Sequence, residues 1–381
     1  TMGDFVSMLG ANAAYLGRLG HSVQSIDDLV LFQLGLAEGI SPRRTLLKKV
    51  DASIPTPGIP LAFVREYRSG LSGRLSRSTL GYGWGHNWEI ALTELADGTI
   101  VFKSGESTRR FQPDVRGGYL SESGDTARLI QTSASPPTHE LLESSGLRYE
   151  FSNFRLSRVV EPHGQSVSAS YTSNRLSGLT HSNGASLFLA YDSNGAITQI
   201  TDSYGRVTGL SYDPGSNHLI SAANSDGSTT TYQYNTNSAA SAFHSLTQTT
   251  PADGLTRSFT WDDKGRLVQT SMPGGRESTS YSYQLGTVLM TNTLGETASI
   301  SYDHFRQPAK MIDPAGAVSQ IRRDENGNPT ESIDPNGNVT LRKFTDRGQL
   351  LESTDPLGAT RRYDYDEAGR LNEMVNERGD S

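Results

Sequence analysis

The chain has 381 residues, zero cysteines and a net charge of -7, with 20% charged and 34% apolar residues. Zero cysteines exclude a disulfide scaffold and any thiolate zinc site, and the negative charge, with no Lys/Arg run carrying interleaved aromatics, argues against nucleic acid as a partner. The 39 glycines and abundant Ser, Thr, Asn and Asp fit a β protein of many tight turns whose strands are wetted on one face, since the apolar share is small for one thick core.

The first 50 residues read as helical. "DFVSMLGANAAYLGRLG" places Phe5, Leu9, Leu16 and Leu19 at helical spacing, and "SIDDLVLFQLGLAEG" opens on the capping pattern Ser25-x-x-Asp28 and closes on Gly39. "SPRRTLLKK" offers a third short helix, with Ser41 as cap and Pro42 at the first helical position. The longest apolar run, "LVLFQLGLA" at 29–37, is about half of the roughly 18 residues that span a bilayer. No basic stretch precedes an apolar run as in a signal peptide. The expectation is therefore no membrane span and no leader of that kind.

Residues 51–150 return to strands through the Pro-rich "IPTPGIP" (54–60). In "LGYGWGHNWEI" (80–90), strand alternation puts Trp84, His86, Trp88 and Ile90 on one face and Gly85, Asn87 and Glu89 on the other. A histidine between two tryptophans on an apolar face reads first as a packed side chain. The alternative is a tryptophan platform for sugar rings with His86 donating a hydrogen bond, which makes Trp84, His86 and Trp88 the candidate binding residues.

From about residue 150 to the end the sequence repeats with a period of 21. One column holds Asp313, Asp334, Asp355 and Asn376, with Gly316, Gly337, Gly358 and Gly379 three residues later and Pro314, Pro335 and Pro356 between. A second holds Asp303, Asp324 and Asp366 with Gly327, Gly348 and Gly369; its aromatic entries are Tyr302, Phe344 and Tyr365, and Arg323 is the exception. The ruler extends upstream to Tyr191 and Tyr212 and breaks at an insertion near "NTNSAASAF" (235–243). Asp at turn position i, Pro at i+1 and Gly at i+3 make a type I turn. Two such turns leave two strands of about six to seven residues per unit, so each unit is a β-hairpin feeding the next. About eleven units advancing roughly 10 Å each give a ribbon near 110 Å, which strand twist forces to coil. The predicted fold is mainly β: a coiled sheet of antiparallel hairpin repeats forming part of a hollow shell, divided as a helical segment 1–50, a β-rich segment 51–150 and a repeat array 151–381.

The segments "YDEAGRLNEMVNERGD" (365–380) and "YDHFRQPAKMIDPAGAVSQIR" (302–322) resemble the Rhs or YD-repeat superfamily, and "GIPLAFVREYRSGLSGRLSRSTLGYGWGHNWE" (58–89) resembles the stretch that precedes the repeats in bacterial Rhs proteins. That superfamily includes bacterial polymorphic-toxin shells, the cocoon of insecticidal toxin complexes and the teneurin extracellular region. The resemblance implies a β-shell spiralling around a cavity that holds another polypeptide, commonly the chain's own C-terminal effector, in a secreted or cell-surface protein with a delivery-system protein or a surface glycan as further partner. The family's self-cleaving aspartates and effector are not in this sequence. It stops at Ser381 in mid-repeat, which would leave a sheet edge of the kind natural proteins avoid, so a fragment of a longer chain is expected.

No constellation points to catalysis, a metal or a cofactor. The regular aspartates have a local task in turns, and Glu89, Glu94, Glu150 and Glu161, outside that column, show no spacing that pairs two across a cleft. "DENGN" (324–328) and "DPNGN" (334–338) lack the closing glutamate of a calcium loop. There is no H-x-x-x-H pair, G-x-S-x-G elbow or phosphate loop, and the glycine of Arg378-Gly379-Asp380 is the repeat glycine. The leading reading is an encapsulating shell. An extracellular carbohydrate-binding or adhesion module and a polysaccharide-active enzyme on a repeat scaffold are the alternatives. The helical segment reads as a cap or plug against one end of the shell, with a docking element for a delivery partner or a piece of cargo as the other readings.

Overall fold

A computed structural model describes residues 1–381 apart from 22, 24, 39, 41–44, 116, 123, 367–370 and 377–381. Helix α1 (Met2–Arg18) starts in a capping box: the Thr1 hydroxyl accepts from the Asp4 N–H at 3.3 Å while the Asp4 carboxylate reaches back to the Thr1 backbone. Helix α2 (Ile26–Glu38) begins where Ser25 Oγ accepts from the Asp28 N–H at 3.3 Å. Neither is long and apolar enough to cross a membrane. The third expected helix is replaced by strand β1 (Thr45–Ile54), which pairs antiparallel with β2 (Leu61–Arg68). The reason is non-local: in β2 the alternating Leu61, Phe63 and Tyr67 are fully buried, and pairing with that apolar strand outweighs the helical tendency of "LLKK". Gly39, Ser41 and Pro42, read as helix ends, lie outside the described residues.

After α3 (Leu71–Leu75) come the short β3 (Arg77–Ser78) and β4 (Gly81–Tyr82), then β5 (Trp84–His86), which joins β2 to complete a small three-stranded sheet. Four strands, β6 (Ile90–Glu94), β7 (Ile100–Ser104), β8 (Ser107–Pro113) and β9 (Tyr119–Ser121), form a meander tied to the main sheet at Ala91 and Arg155. That sheet runs from β10 (Arg128–Ala134) to β33 (Leu371–Val375), each strand antiparallel to the next. It is one antiparallel sheet of hairpins, not closed into a barrel. It passes through residue 150 without a break, so the wall begins ahead of the first in-phase repeat.

The turns explain the period. At Asp313 the N–H donates to the Ala317 carbonyl (3.0 Å), the Gly316 N–H donates to the Asp313 carbonyl (3.0 Å), and Asp313 Oδ1 accepts from the Ala317 N–H (2.8 Å). Gly316 sits at φ +85°, in the left-handed region that glycine reaches without strain. Asp334 with Gly337 and Asp355 with Gly358 repeat this geometry, Oδ1 accepting from Asn338 and Ala359 at 2.9 Å each. Pro314, Pro335 and Pro356 supply the fixed φ of the second turn position, where no amide is needed. Gly369 and the tripeptide Arg378-Gly379-Asp380 lie outside the described residues.

The aromatic column has a second task. Opposite each of Tyr171, Tyr191, Tyr212, Tyr234 and Trp261 the register slips by one residue, a β-bulge, and such a bulge leaves a residue out of the hydrogen-bond ladder. The aromatic of the following unit meets the carbonyl at that bulge. Tyr191, Tyr212, Tyr234 and Tyr283 donate their hydroxyls at 2.7 Å to the carbonyls of Leu176, Ile197, Leu219 and Leu267, and Trp261 Nε1 donates to Leu246 at 2.8 Å. Arg323, the exception in sequence, does the same through Nη1 to the Pro308 carbonyl at 3.0 Å.

The inner face of the coil carries the core: Leu189, Ile200, Leu210, Tyr232, Phe259 and Tyr281 are buried, while Phe188 on the opposite face is exposed. The coil returns on itself where the Gly124 N–H donates to the Asp346 carbonyl at 3.3 Å. The leading segment runs backwards along one row of hairpin turns. Arg77 Nη2 meets the Asn194 carbonyl (3.1 Å), Arg74 Nη2 the Ser241 carbonyl (2.7 Å), Arg306 pairs with Glu38 (3.2 Å), and Gln320 Nε2 donates to the Leu19 carbonyl (3.1 Å). The helices therefore cover a rim of turns in mid-array. They do not cap an end of the sheet, because the carbonyls that accept from Tyr15, those of Gly286 and Tyr302, lie there.

Candidate functional site

The seam where the leading segment meets the wall gathers most of the buried polar chemistry. At its centre Arg65 is 1% exposed, with Nε and Nη2 on the Asp51 carboxylate at 2.9 and 3.0 Å and Nη2 donating to the Tyr232 hydroxyl at 3.1 Å. Its guanidinium lies 4.5 Å from the Trp84 ring. Burial opposes the charge, but the Asp51 carboxylate and the Tyr232 oxygen outweigh it and raise the Arg65 pKa further. The pair anchors β1 and β2 to the inner face of the strand Thr229–Tyr234.

The three residues singled out in sequence surround this anchor, and all are core. Trp84 is 1% exposed and its Nε1 donates to the Tyr234 hydroxyl at 2.7 Å. His86 stacks on Phe63 with ring centroids 4.7 Å apart, and its Nδ1 accepts from the Trp88 N–H at 3.2 Å. Trp88 Nε1 donates to the Ala62 carbonyl at 2.8 Å. Burial, followed by the charge of Arg68, lowers the His86 pKa to about 3, so the ring is neutral over the physiological range. For a sugar platform this placement is unfavourable: both indoles are buried beneath β-structure, so neither Trp84 nor Trp88 turns a ring face to solvent. Glu89 holds Arg68 at 2.8 Å and Glu150 holds Arg158 at 2.9 Å, each in an ion pair and not in a carboxylate pair. Among the described residues no group of three or more His, Asp or Glu is placed to hold a metal.

Sequence reasoning missed the latch beside them. His218 Nε2 and His244 Nδ1 are 2.8 Å apart, Tyr82 stacks on His244 at 3.8 Å, and the Tyr67 hydroxyl donates to the His244 carbonyl (2.8 Å) and accepts from the Leu246 N–H (2.9 Å). Arg74, 0% exposed, clasps the same insertion through Ser241. The signal was present as the longest interruption of the repeat: residues 235–245, which stretch the step from Tyr234 to Trp261, are the loop that the leading segment grips. The arrangement holds backbone to backbone and orders a neutral imidazole pair.

Three family models match parts of the chain. A family model described as Teneurin YD-shell matches residues 144–350, more than half of the chain. One described as RHS Repeat matches 344–381, and one described as Domain of unknown function (DUF6531) matches 44–111. No curated protein matches. Among solved structures the chain is similar to the Photorhabdus luminescens Tc holotoxin pore, at 13% identity over 88% of this chain and 22% of that one, with a TM-score of 0.33. It is also similar to TcdB2-TccC3 without its hypervariable C-terminal region, at 13% identity, 85% and 21% coverage and a TM-score of 0.35. The chain spans about a fifth of the length of these solved chains.

Proposed function

This chain belongs to the teneurin YD-shell family, and from that premise we propose that it forms part of the wall of a β-shell that sequesters and presents another polypeptide, an effector carried in the same protein. The observation that carries this reading is a bare concave face. Among the described residues no strand residue from Val318 to Val375 is buried, whereas Leu189, Ile200, Leu210 and Tyr232, on the same face of earlier strands, are buried with β1 and β5 against them. Ile321, Arg342 and Tyr363 lie on that face by register, a mixture suited to weak contact with a polypeptide. The wall acts by excluding solvent and partners, without a chemical step. In this reading residues 1–50 plug the turn rim, 51–150 lock the plug, 151–381 extend the wall, a delivery-system protein is the second partner, and the protein works in a secreted or cell-surface setting.

The test uses the native polypeptide that contains these residues. Its intact mass is measured, and its digestion by a broad protease is followed with the wall folded and after unfolding in urea. A segment outside the wall that resists digestion only while the wall is folded supports the proposal. A chain in which every segment outside the wall is digested equally in both conditions, or which has none, overturns it.

A further inference from the structure

Histidines are concentrated where the leading segment meets the wall. Of the eight in the chain, two pairs lie at that seam, the first made of two wall residues covered by Tyr82 of the leading segment and the second with one ring from each side. His218 and His244 share one hydrogen bond at 2.8 Å beneath Tyr82. His21, just beyond α1, meets His304 edge to face at 5.8 Å between ring centroids. The strands from Pro329 to Tyr365 contain no histidine.

Each pair is built for neutral rings. In the first, one imidazole must donate and the other accept, so a second proton sets two N–H groups against each other at a spacing that suits only one. The charged groups that face it are Arg74 from α3, which opposes a positive charge, and Asp213 from the adjacent turn, which favours one. The phenols of Tyr67, Tyr82 and Tyr234 complete the enclosure. In the second pair His21 Nε2 and His304 Nδ1 are buried without a hydrogen-bond partner. Arg322 and Arg323 face His21, and Asp28 faces His304. Asp303 faces both rings, but its carboxylate already serves Arg323 at 2.7 Å and the Gln307 N–H at 2.9 Å.

We propose that these two imidazole pairs make the seam an acid-operated latch: the leading segment is held on the turn rim near neutral pH and lifts from it on mild acidification while the strands of the wall stay paired. The sign follows from linkage. Burial lowers the pKa of His218 to about 4, and lowers His21, His244 and His304 in the same direction. Groups whose folded pKa is depressed below the ordinary ~6.5 of histidine bind protons more readily when released, so they hold the latch above that value and weaken it as pH falls towards the folded value. For His218 alone, moving from pH 7.5 to pH 5 shifts the opening equilibrium by roughly 30-fold.

Amide hydrogen exchange on the full chain at pH 7.5 and 5.0, corrected for intrinsic rates, tests this. The expected result is a protection loss of at least about 30-fold at pH 5.0 in residues 67–86 and 235–246, and a loss in α1, with the strands from Pro329 to Tyr365 unchanged. Replacing His218→Phe with His244→Phe removes the acid response at 67–86 but leaves it at α1, and His21→Phe with His304→Phe does the reverse. Seam protection that survives pH 5.0, or that falls only in step with the wall, overturns the proposal. So does an undiminished acid response in the double variants. If a double variant misfolds at neutral pH, the wild-type comparison between seam and wall decides alone.

Discussion

The hydroxyl ladder along the wall makes two substitutions of opposite sign informative. Tyr212→Phe removes one oxygen atom, the donor at 2.7 Å to the carbonyl of Ile197, a residue that is fully buried. Water cannot replace the lost donor there, so the change costs the desolvation of a buried carbonyl, about 1–3 kcal/mol. Phe344 occupies the same column without a hydroxyl, and the Pro329 carbonyl sits at the bulge opposite Arg323, one unit upstream. Phe344→Tyr supplies the missing donor and is expected to add about 0.5–1.5 kcal/mol. For a chain of this length the unfolding entropy is on the order of 0.8 kcal/mol/K, so the first variant melts about 1–4 °C lower and the second up to about 2 °C higher. The melt is followed by tryptophan fluorescence, to which Trp261, itself a rung of the ladder, contributes alongside Trp84 and Trp88, and by circular dichroism, whose coincidence checks that the transition is a single one. An unchanged melting temperature in Tyr212→Phe, or a lower one in Phe344→Tyr, would refute the view that the column exists to satisfy bulge carbonyls.

Two further outcomes rest on the seam. Arg65→Met leaves the Asp51 carboxylate buried and unpaired and is expected to destabilise by about 3–5 kcal/mol in urea unfolding, whereas adding Asp51→Leu recovers most of the loss; equal midpoints for the single and double variants would contradict this. Gly286→Ala places a methyl group against the Tyr15 ring at a residue with φ +65°, so trypsin is expected to cut after Arg18 faster than in the wild type. Gly316→Ala is the control, because it carries similar backbone strain, of roughly 1–2 kcal/mol, but opens into empty space and leaves that cleavage unchanged.

What could be read from sequence was what the chain decides locally. The turn at Asp313 to Gly316 needs only its own four residues and the next amide, so the period exposed it; α1 announced itself through the helical spacing of Phe5, Leu9, Leu16 and Leu19, and α2 through Ser25-x-x-Asp28. The same reasoning placed Trp84, His86 and Trp88 on an apolar face but could not say what covers it, because Tyr232 and Tyr234 arrive from some 150 residues away. β1 was misread for a related reason: its conformation is set by β2 and not by its own propensities. Arg323 looked like a defect in the aromatic column, since composition alone does not reveal that a guanidinium and a phenol can offer the same N–H or O–H to a carbonyl.

The meeting of Gly124 with Asp346 sets a gauge for the whole coil. Among the described residues 21 strands, from Arg128–Ala134 to Val339–Phe344, lie between the two sides of that contact. At about 4.8 Å each they give a perimeter near 100 Å and a radius near 16 Å. The bore is thus counted in whole strands. A duplicated hairpin would add roughly 10 Å to the perimeter and carry Asp346 past its mark, so length changes that keep the bore must fall in the turns, as the loop at 235–245 does. Diversification of such a wall would be expected to proceed by lengthening the rim while the number of staves stays fixed.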